Sequence, residues 1–199
     1  MDVEEAIQNR RAYRSLKPFE LTDDLIYQLS ESAQLAPSCF NNQPWHFVFV
    51  TQPDILKQMH EALSKGNEWA THASMIITVV CKKEDDCEIK EREYFLFDTG
   101  LATAHMILSA TQSGLVCHPI AGFSPKKTRE ILKIPDEFLV ISLLIVGKKN
   151  QEINPELSEK QAEAEQNRPI RKKTSSFCFL NSFEIPIQEK SIELEETAT

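Results

Sequence analysis

The chain has 199 residues, 22 Lys and Arg against 30 Asp and Glu, and a formal net charge of −8 at pH 7. Its length suits one domain with one substantial core, its composition (41% hydrophobic, 26% charged) is that of an ordinary globular protein, and its acidity argues against nucleic acid as a partner. No apolar run nears the ~20 residues of a membrane span and the opening MDVEEAIQNRR lacks an apolar signal core, so a cytoplasmic protein without membrane contact is expected.

Taken in chain order, Val3, Ala6, Ile7 and Arg10 share helical spacing and predict a short first helix. Thr22 serves as N-cap of a second helix, with Leu25, Ile26, Leu29, Ala33 and Ala36 along one face and Pro37 ending it. Residues 45–51, WHFVFVT, are β-branched and aromatic and predict a strand. Pro53 opens a helix reaching Leu63, and residues 73–81, ASMIITVVC, form a strand apolar enough to be buried on both faces. The polar stretch KKEDDCEIKERE reads as a solvated loop plus the first turns of a helix, followed by a long helix over residues 94–114. On that helix Phe97, Leu101, Ala104, His105, Leu108 and Thr111 form a stripe, and small residues elsewhere permit close packing against another helix, including one from a second subunit.

Residues 115–120 then predict a strand, Ser124-Pro125 a helix start running to about Lys133, and residues 138–147 another apolar strand. Residues 156–166 predict a polar surface helix within a surface segment of about 150–167. Residues 168–199 carry the basic run RPIRKK, the strand-like SSFCFL and an acidic end expected to fray. The expectation is a single domain over residues 1–199 of mixed α and β structure.

The five cysteines, Cys39, Cys81, Cys87, Cys117 and Cys178, include no C-x-x-C pair. An odd number without a signal peptide predicts that most are small buried hydrophobes in a reducing cytosol, and argues against a disulfide framework. The histidines show neither H-x-x-x-H nor H-E-x-x-H spacing, and the adjacent Cys117 and His118 diverge on a strand, so no metal site is expected.

The five glycines, Gly66, Gly100, Gly114, Gly122 and Gly147, are too scattered for G-x-G-x-x-G or a P-loop. Cations are concentrated instead: Arg10, Arg11, Arg14 and Lys17 lie within eight residues without an acid, and Arg168, Arg171, Lys172 and Lys173 repeat this near the other end. They are either two solvated faces or one small-anion site assembled from both ends, for which the planar Arg fork is suited. Between a helix end and a strand, Ser38-Cys39-Phe40-Asn41-Asn42-Gln43 offers amide donors and acceptors fit for a heteroaromatic ring edge. In HPIAGF, residues 118–123, the small pair Ala121-Gly122 lets a flat ligand approach the backbone.

Together IQNRRAYR, APSCFNNQPWHFVFV, DTGLATAHMILSATQSGLVCHPIAGF and RPIRKK, in this order, resemble the nitroreductase family of flavin enzymes from about Ile7 to Arg171. The resemblance implies an α+β fold, a central mainly antiparallel sheet flanked by helices, in an intertwined homodimer with non-covalent FMN at the interface. It implies that Arg10, Arg11 and Arg14, with Ala12 in place of the usual Ser, and Arg171 with Lys173 hold the phosphate, Arg14 also reaching the ring edge. Pro37, Ser38 and Cys39 match the segment laid on the flavin by the other subunit, Asn41 and Gln43 the polar pair, and Asn67 an Asn near the ring. Pro119, Ile120, Ala121 and Gly122 match the turn beside flavin N5.

The implied activity is two-electron transfer from NADH or NADPH through flavin to nitroaromatics, quinones or similar small acceptors by ping-pong turnover. No side chain acts as a dedicated acid or base, since the cofactor carries the chemistry. A flavin-binding protein without efficient turnover, and a family member specialised for enoyl reduction or dehalogenation, are the alternatives.

Overall fold

The computed structural model describes residues 1–188 and divides into two compact units, Met1–Gln166 and Asn167–Thr199. The acidic end lies outside the described residues.

In the first unit the elements run α1 (Val3–Asn9), β1 (Leu16–Lys17), α2 (Asp23–Gln34), β2 (Trp45–Val50), α3 (Pro53–His60), β3 (Met75–Cys81), β4 (Glu88–Ile89), β5 (Arg92–Glu93), α4 (Phe95–Gln112), β6 (Val116–Ile120), α5 (Pro125–Leu132), β7 (Leu139–Lys149) and α6 (Glu159–Gln166). β7 is the spine of a five-stranded sheet: β3 pairs along one side of it, β6 and β1 share the other, and β2 closes the β3 edge, every pairing antiparallel. Ile141 is the extra residue where the β3–β7 register shifts, between Val79 opposite Ser142 and Val80 opposite Val140.

Strand alternation divides the core between the two sheet faces. Met75, Ile77 and Val79 of β3 join Leu29, Ala33, Ala102, Met106 and Ala110 of α2 and α4 in one apolar cluster. Ile76 and Val80 join Met59, Trp69, Phe123 and Ile134 in the other. With a helical layer on each face, every residue of β3 is buried, as its unbroken apolar sequence predicts. Cys117 and His118 diverge likewise, Cys117 into the α2–α4 cluster and His118 onto Trp69.

Caps follow the sequence. Asp2 and Glu5 form a capping box on α1, Thr22 caps α2, and Ser124 caps α5 ahead of Pro125. Lys133, at φ 54°, ends α5 in the left-handed conformation. Helix α3 stops at His60, before Leu63, whose backbone instead bridges to Phe123.

Three further expectations for this unit are corrected. The polar stretch after β3 forms a 3-10 turn, Lys83–Asp85, and the short hairpin β4–β5, held by Lys83 against Glu88 (3.3 Å) and Glu93 (2.6 Å). The buried face of α4 runs through Phe95, Asp98, Thr99, Ala102, Met106 and Ala110, while Phe97 of the expected stripe is 63% exposed. α4 is apolar around most of its circumference, so periodicity could not select the face. And α6 is not merely a solvated surface helix: Glu165 is only 7% exposed.

The second unit, described to residue 188, contains a 3-10 turn at Thr174–Ser176, an isolated bridge between Phe179 and Pro186, and the stacked rings of Phe179 and Phe183, 4.3 Å apart. SSFCFL is therefore a turn followed by a single bridge, not a strand. Arg171 and Lys173 are exposed here.

Candidate functional site

The N-terminal cations lie on the extended link between α1 and β1, and α6 holds that link in place. The backbone N–H groups of Arg14 and Ser15 donate to the two carboxylate oxygens of Glu165 (2.8 and 3.1 Å). The Arg11 guanidinium donates to the Ala164 carbonyl (2.6 Å) and lies 4.7 Å from the Tyr13 ring centroid. The far end of α6 is tied by Gln161, which donates to the Gly66 carbonyl (3.0 Å). Arg10 caps α1 by donating its N–H to Ala6, and Ala12 is exposed between the arginines.

Beneath this link is a ring stack. The imidazole of His118 stacks on the Trp69 indole, centroids 4.7 Å apart, and its Nδ1 is 3.0 Å from the Tyr13 carbonyl. Burial, with the neighbouring charges of Arg14 and Arg10, pushes His118 down to about 4, so it is neutral at pH 7. Arg14 lies over the same indole, and burial lowers its pKa against the opposing pull of Glu165. The indole Nε1 is buried and has no hydrogen-bond partner among the described residues.

Trp69 belongs to the 3-10 turn Glu68–His72, which begins after Asn67. The Asn67 amide donates to the Gly122 carbonyl (2.8 Å), which also accepts from the Ser64 N–H (2.9 Å). A Cβ on Gly122 would collide with the Asn67 amide nitrogen, so a larger residue here displaces that side chain. Ala121 and Pro119 are exposed beside it, whereas Ile120 is buried and its carbonyl accepts from Ser142 Oγ (3.0 Å). The structure thus brings the Arg10–Arg14 link, Asn67 and the 119–122 turn around one Trp69–His118 stack.

The loop carrying Ser38, Cys39, Asn41 and Gln43 makes its bonds elsewhere. Cys39 N–H donates to Asp98 on the first turn of α4 (2.6 Å), and Asn42 donates to Asp86 (3.2 Å). Phe40, Asn41 and Gln43 have φ of 48°, 59° and 52°. These left-handed residues are braced by Ser38 Oγ, which accepts from Gln43 N–H (3.0 Å). The turn leaves Asn41 and Gln43 exposed and Phe40 83% exposed. Beside it Pro37, Ser38, Cys39, Tyr94, Phe97 and Leu101 line an open, mainly apolar cavity of about 330 Å³. Asp98, 2% exposed, has its pKa raised by desolvation, opposed by the Cys39 N–H and reinforced by Asp86.

The expectation of buried, unbridged cysteines is corrected at two positions: Cys39 and Cys87 form a disulfide. The folded-back insert places Cys87 against the loop although 48 residues separate the two. Cys81 and Cys117 are free and buried, and burial raises both thiols, to about 11 and about 12. Sequence reasoning also missed Glu165, Asp98 and the role of Trp69 as the platform of the stack; no spacing rule marks any of them.

The Nitroreductase family model matches residues 7–68 and 61–148. A protein of Archaeoglobus fulgidus named "Putative NADH dehydrogenase/NAD(P)H nitroreductase" is 32% identical over 147 residues, covering 71% of this chain and 82% of that protein. A crystal structure of a nitroreductase family protein from Clostridium novyi is similar with a TM-score of 0.71 and 27% identity, over 76% of this chain and 87% of that one. Another solved structure, described as "the oxidoreductase containing FMN", is similar with a TM-score of 0.78 and 25% identity, over 92% and 93% of the two chains.

Proposed function

The chain belongs to the nitroreductase family, and on that basis we propose that it is an FMN-dependent oxidoreductase. It passes two electrons from NADH or NADPH to a nitroaromatic, quinone or similar electron-poor acceptor by ping-pong turnover. One observation carries this reading: the arginine-bearing link, Asn67 and the Gly122 turn converge on the Trp69–His118 stack. A cationic segment beside a turn of small residues, Ala121 and Gly122, suits a flat ligand ending in a phosphate. FMN held there would supply the two-electron redox chemistry.

The protein's residues bind and orient. Arg10, Arg11 and Arg14 hold the phosphate; Ala12 leaves room between them. Asn67 fixes the Gly122 carbonyl, so that Pro119, Ile120, Ala121 and Gly122 present backbone to the ring. Neutral His118 places no positive charge under Arg14 and supports the indole platform.

The loop of Pro37, Ser38, Cys39, Asn41 and Gln43 bonds to α4 and the insert, not to the arginine link. Its exposed amides and Phe40 therefore suit the cofactor site of a second copy, and we place two such sites in a homodimer. The open apolar cavity and the exposed Phe97 beside the loop support this arrangement.

The test begins with the purified protein's absorbance. A flavin spectrum that bleaches on anaerobic NADH or NADPH and returns with a nitroaromatic or quinone is the expected result. Flavin that neither donor reduces refutes the reductase. A colourless protein that FMN cannot reconstitute refutes the cofactor assignment.

A further inference from the structure

We propose that Cys39, Cys87 and Asp86 form a site for a borderline-soft divalent cation, with zinc as the best match, which becomes available when the Cys39–Cys87 disulfide is reduced. This inference does not rest on the flavin reading. One sulfur atom from each cysteine and a carboxylate oxygen of Asp86 all lie within 4.8 Å of one another. Around tetrahedral zinc, with Zn–S near ~2.3 Å and Zn–O near ~2.1 Å, ligand atoms stand roughly 3.5–3.8 Å apart. Small rotamer changes bridge that difference once the sulfurs are no longer bonded to each other.

The carboxylate is already oriented as a ligand. Asp86 Oδ1 accepts from the Cys87 N–H (2.7 Å) and from the Asn42 amide (3.2 Å), and the Asp86 carboxyl group shares a side-chain hydrogen bond with Asp98. Two carboxyl groups held side by side repel one another when ionised, and a cation between them and the sulfurs offsets that repulsion. Asp98 accepts the Cys39 backbone N–H and so holds the loop beside Asp86. Among the described residues neither carboxylate takes part in an ion pair. Two sulfurs with one carboxylate are a donor set for zinc; magnesium and calcium take oxygen ligands.

The chemistry balances. A dithiol reductant gives two electrons and two protons to the Cys39–Cys87 bond, producing two thiols and its own disulfide. Zinc then displaces both thiol protons into solvent as two Zn–S bonds form. The disulfide is a neutral, poor ligand, so only the reduced chain binds tightly. In either state the Ser38–Gln43 loop stays fastened to the insert, by a covalent bond or through the metal.

The experiment uses the full chain with whatever cofactor it retains. One sample is oxidised; another is reduced with a dithiol that is then removed under argon. Each is dialysed to equilibrium against buffered zinc, and metal and free thiols are counted per chain. The expected result is one zinc per reduced chain, none per oxidised chain, and two more titratable thiols in the reduced sample. Cys39→Ser and Cys87→Ser lower the reduced chain's affinity at least a hundredfold, and Asp86→Asn at least tenfold, with circular dichroism confirming that each variant is folded. Equal zinc in both wild-type samples, no zinc in the reduced one, or undiminished binding in folded Cys39→Ser would overturn the proposal.

Discussion

The Arg14 guanidinium lies 5.8 Å from the centroid of the Trp69 indole, on the same ring that stacks against His118. The proposed phosphate-binding segment is thereby seated on an aromatic platform of the core, and its position depends on side chains far away in sequence.

The first expectation concerns the charge itself. The bonds to Glu165 come from the backbone of Arg14 and Ser15, so Arg14→Gln leaves them in place. FMN affinity should fall at least tenfold, about 1.4 kcal/mol, with little change in urea midpoint. Flavin fluorescence on release gives the dissociation constant; an unchanged value removes Arg14 from the site.

Glu165 should behave in the opposite way, as an anchor of the fold. Glu165→Ala leaves the Arg14 and Ser15 N–H groups without their acceptor, at a cost of roughly 1–3 kcal/mol for each group that stays dry. Glu165→Gln keeps one acceptor oxygen and should cost less. Urea unfolding of the two variants ranks them, and equal midpoints would contradict the clamp.

The buried histidine sets a pH dependence. His118 is held at about 4 in the fold, against an ordinary value near 6.5 once unfolded. Between those values the unfolded chain binds the extra proton, so stability rises with pH through this window and is lost as pH falls from about 6.5 to 4. The contribution is on the order of 3 kcal/mol above the window, at 1.36 kcal/mol per pH unit. Denaturant midpoints measured from pH 4 to 8 should show the slope in the wild type and a shallower one in His118→Gln.

Gly122 and Asn67 should be energetically coupled. Gly122→Ala brings a Cβ into the Asn67 amide, and overpacking of this kind costs typically ~1–3 kcal/mol. In an Asn67→Ala background the same substitution should cost markedly less, and a double-mutant cycle measures the difference. Additive costs would mean that the Asn67 amide does not restrict the turn.

Much of this architecture was legible. Thr22 and Ser124 announced their helices, and the unbroken apolar run of β3 announced burial on both faces. What escaped had physical reasons. The β4–β5 hairpin turns at Lys90, at φ 59°, without the glycine or asparagine that signals such turns. Phe40 and Gln43 likewise occupy left-handed backbone that their identities do not advertise. Glu165 sits in a polar helix, where a buried acid looks like its solvated neighbours. Cys39 and Cys87 meet only because the insert folds back, which no spacing rule encodes.

The Cys39–Cys87 crosslink also changes the unfolded chain. It closes a loop of about 48 residues containing β2, α3 and β3, and the chain-entropy relation assigns such a loop about 4 kcal/mol of restriction in the denatured ensemble. Oxidised and reduced preparations therefore unfold to different reference states. A melting temperature measured with a reductant in the buffer reports on a different equilibrium from one measured without it, even where the two folded structures are superimposable.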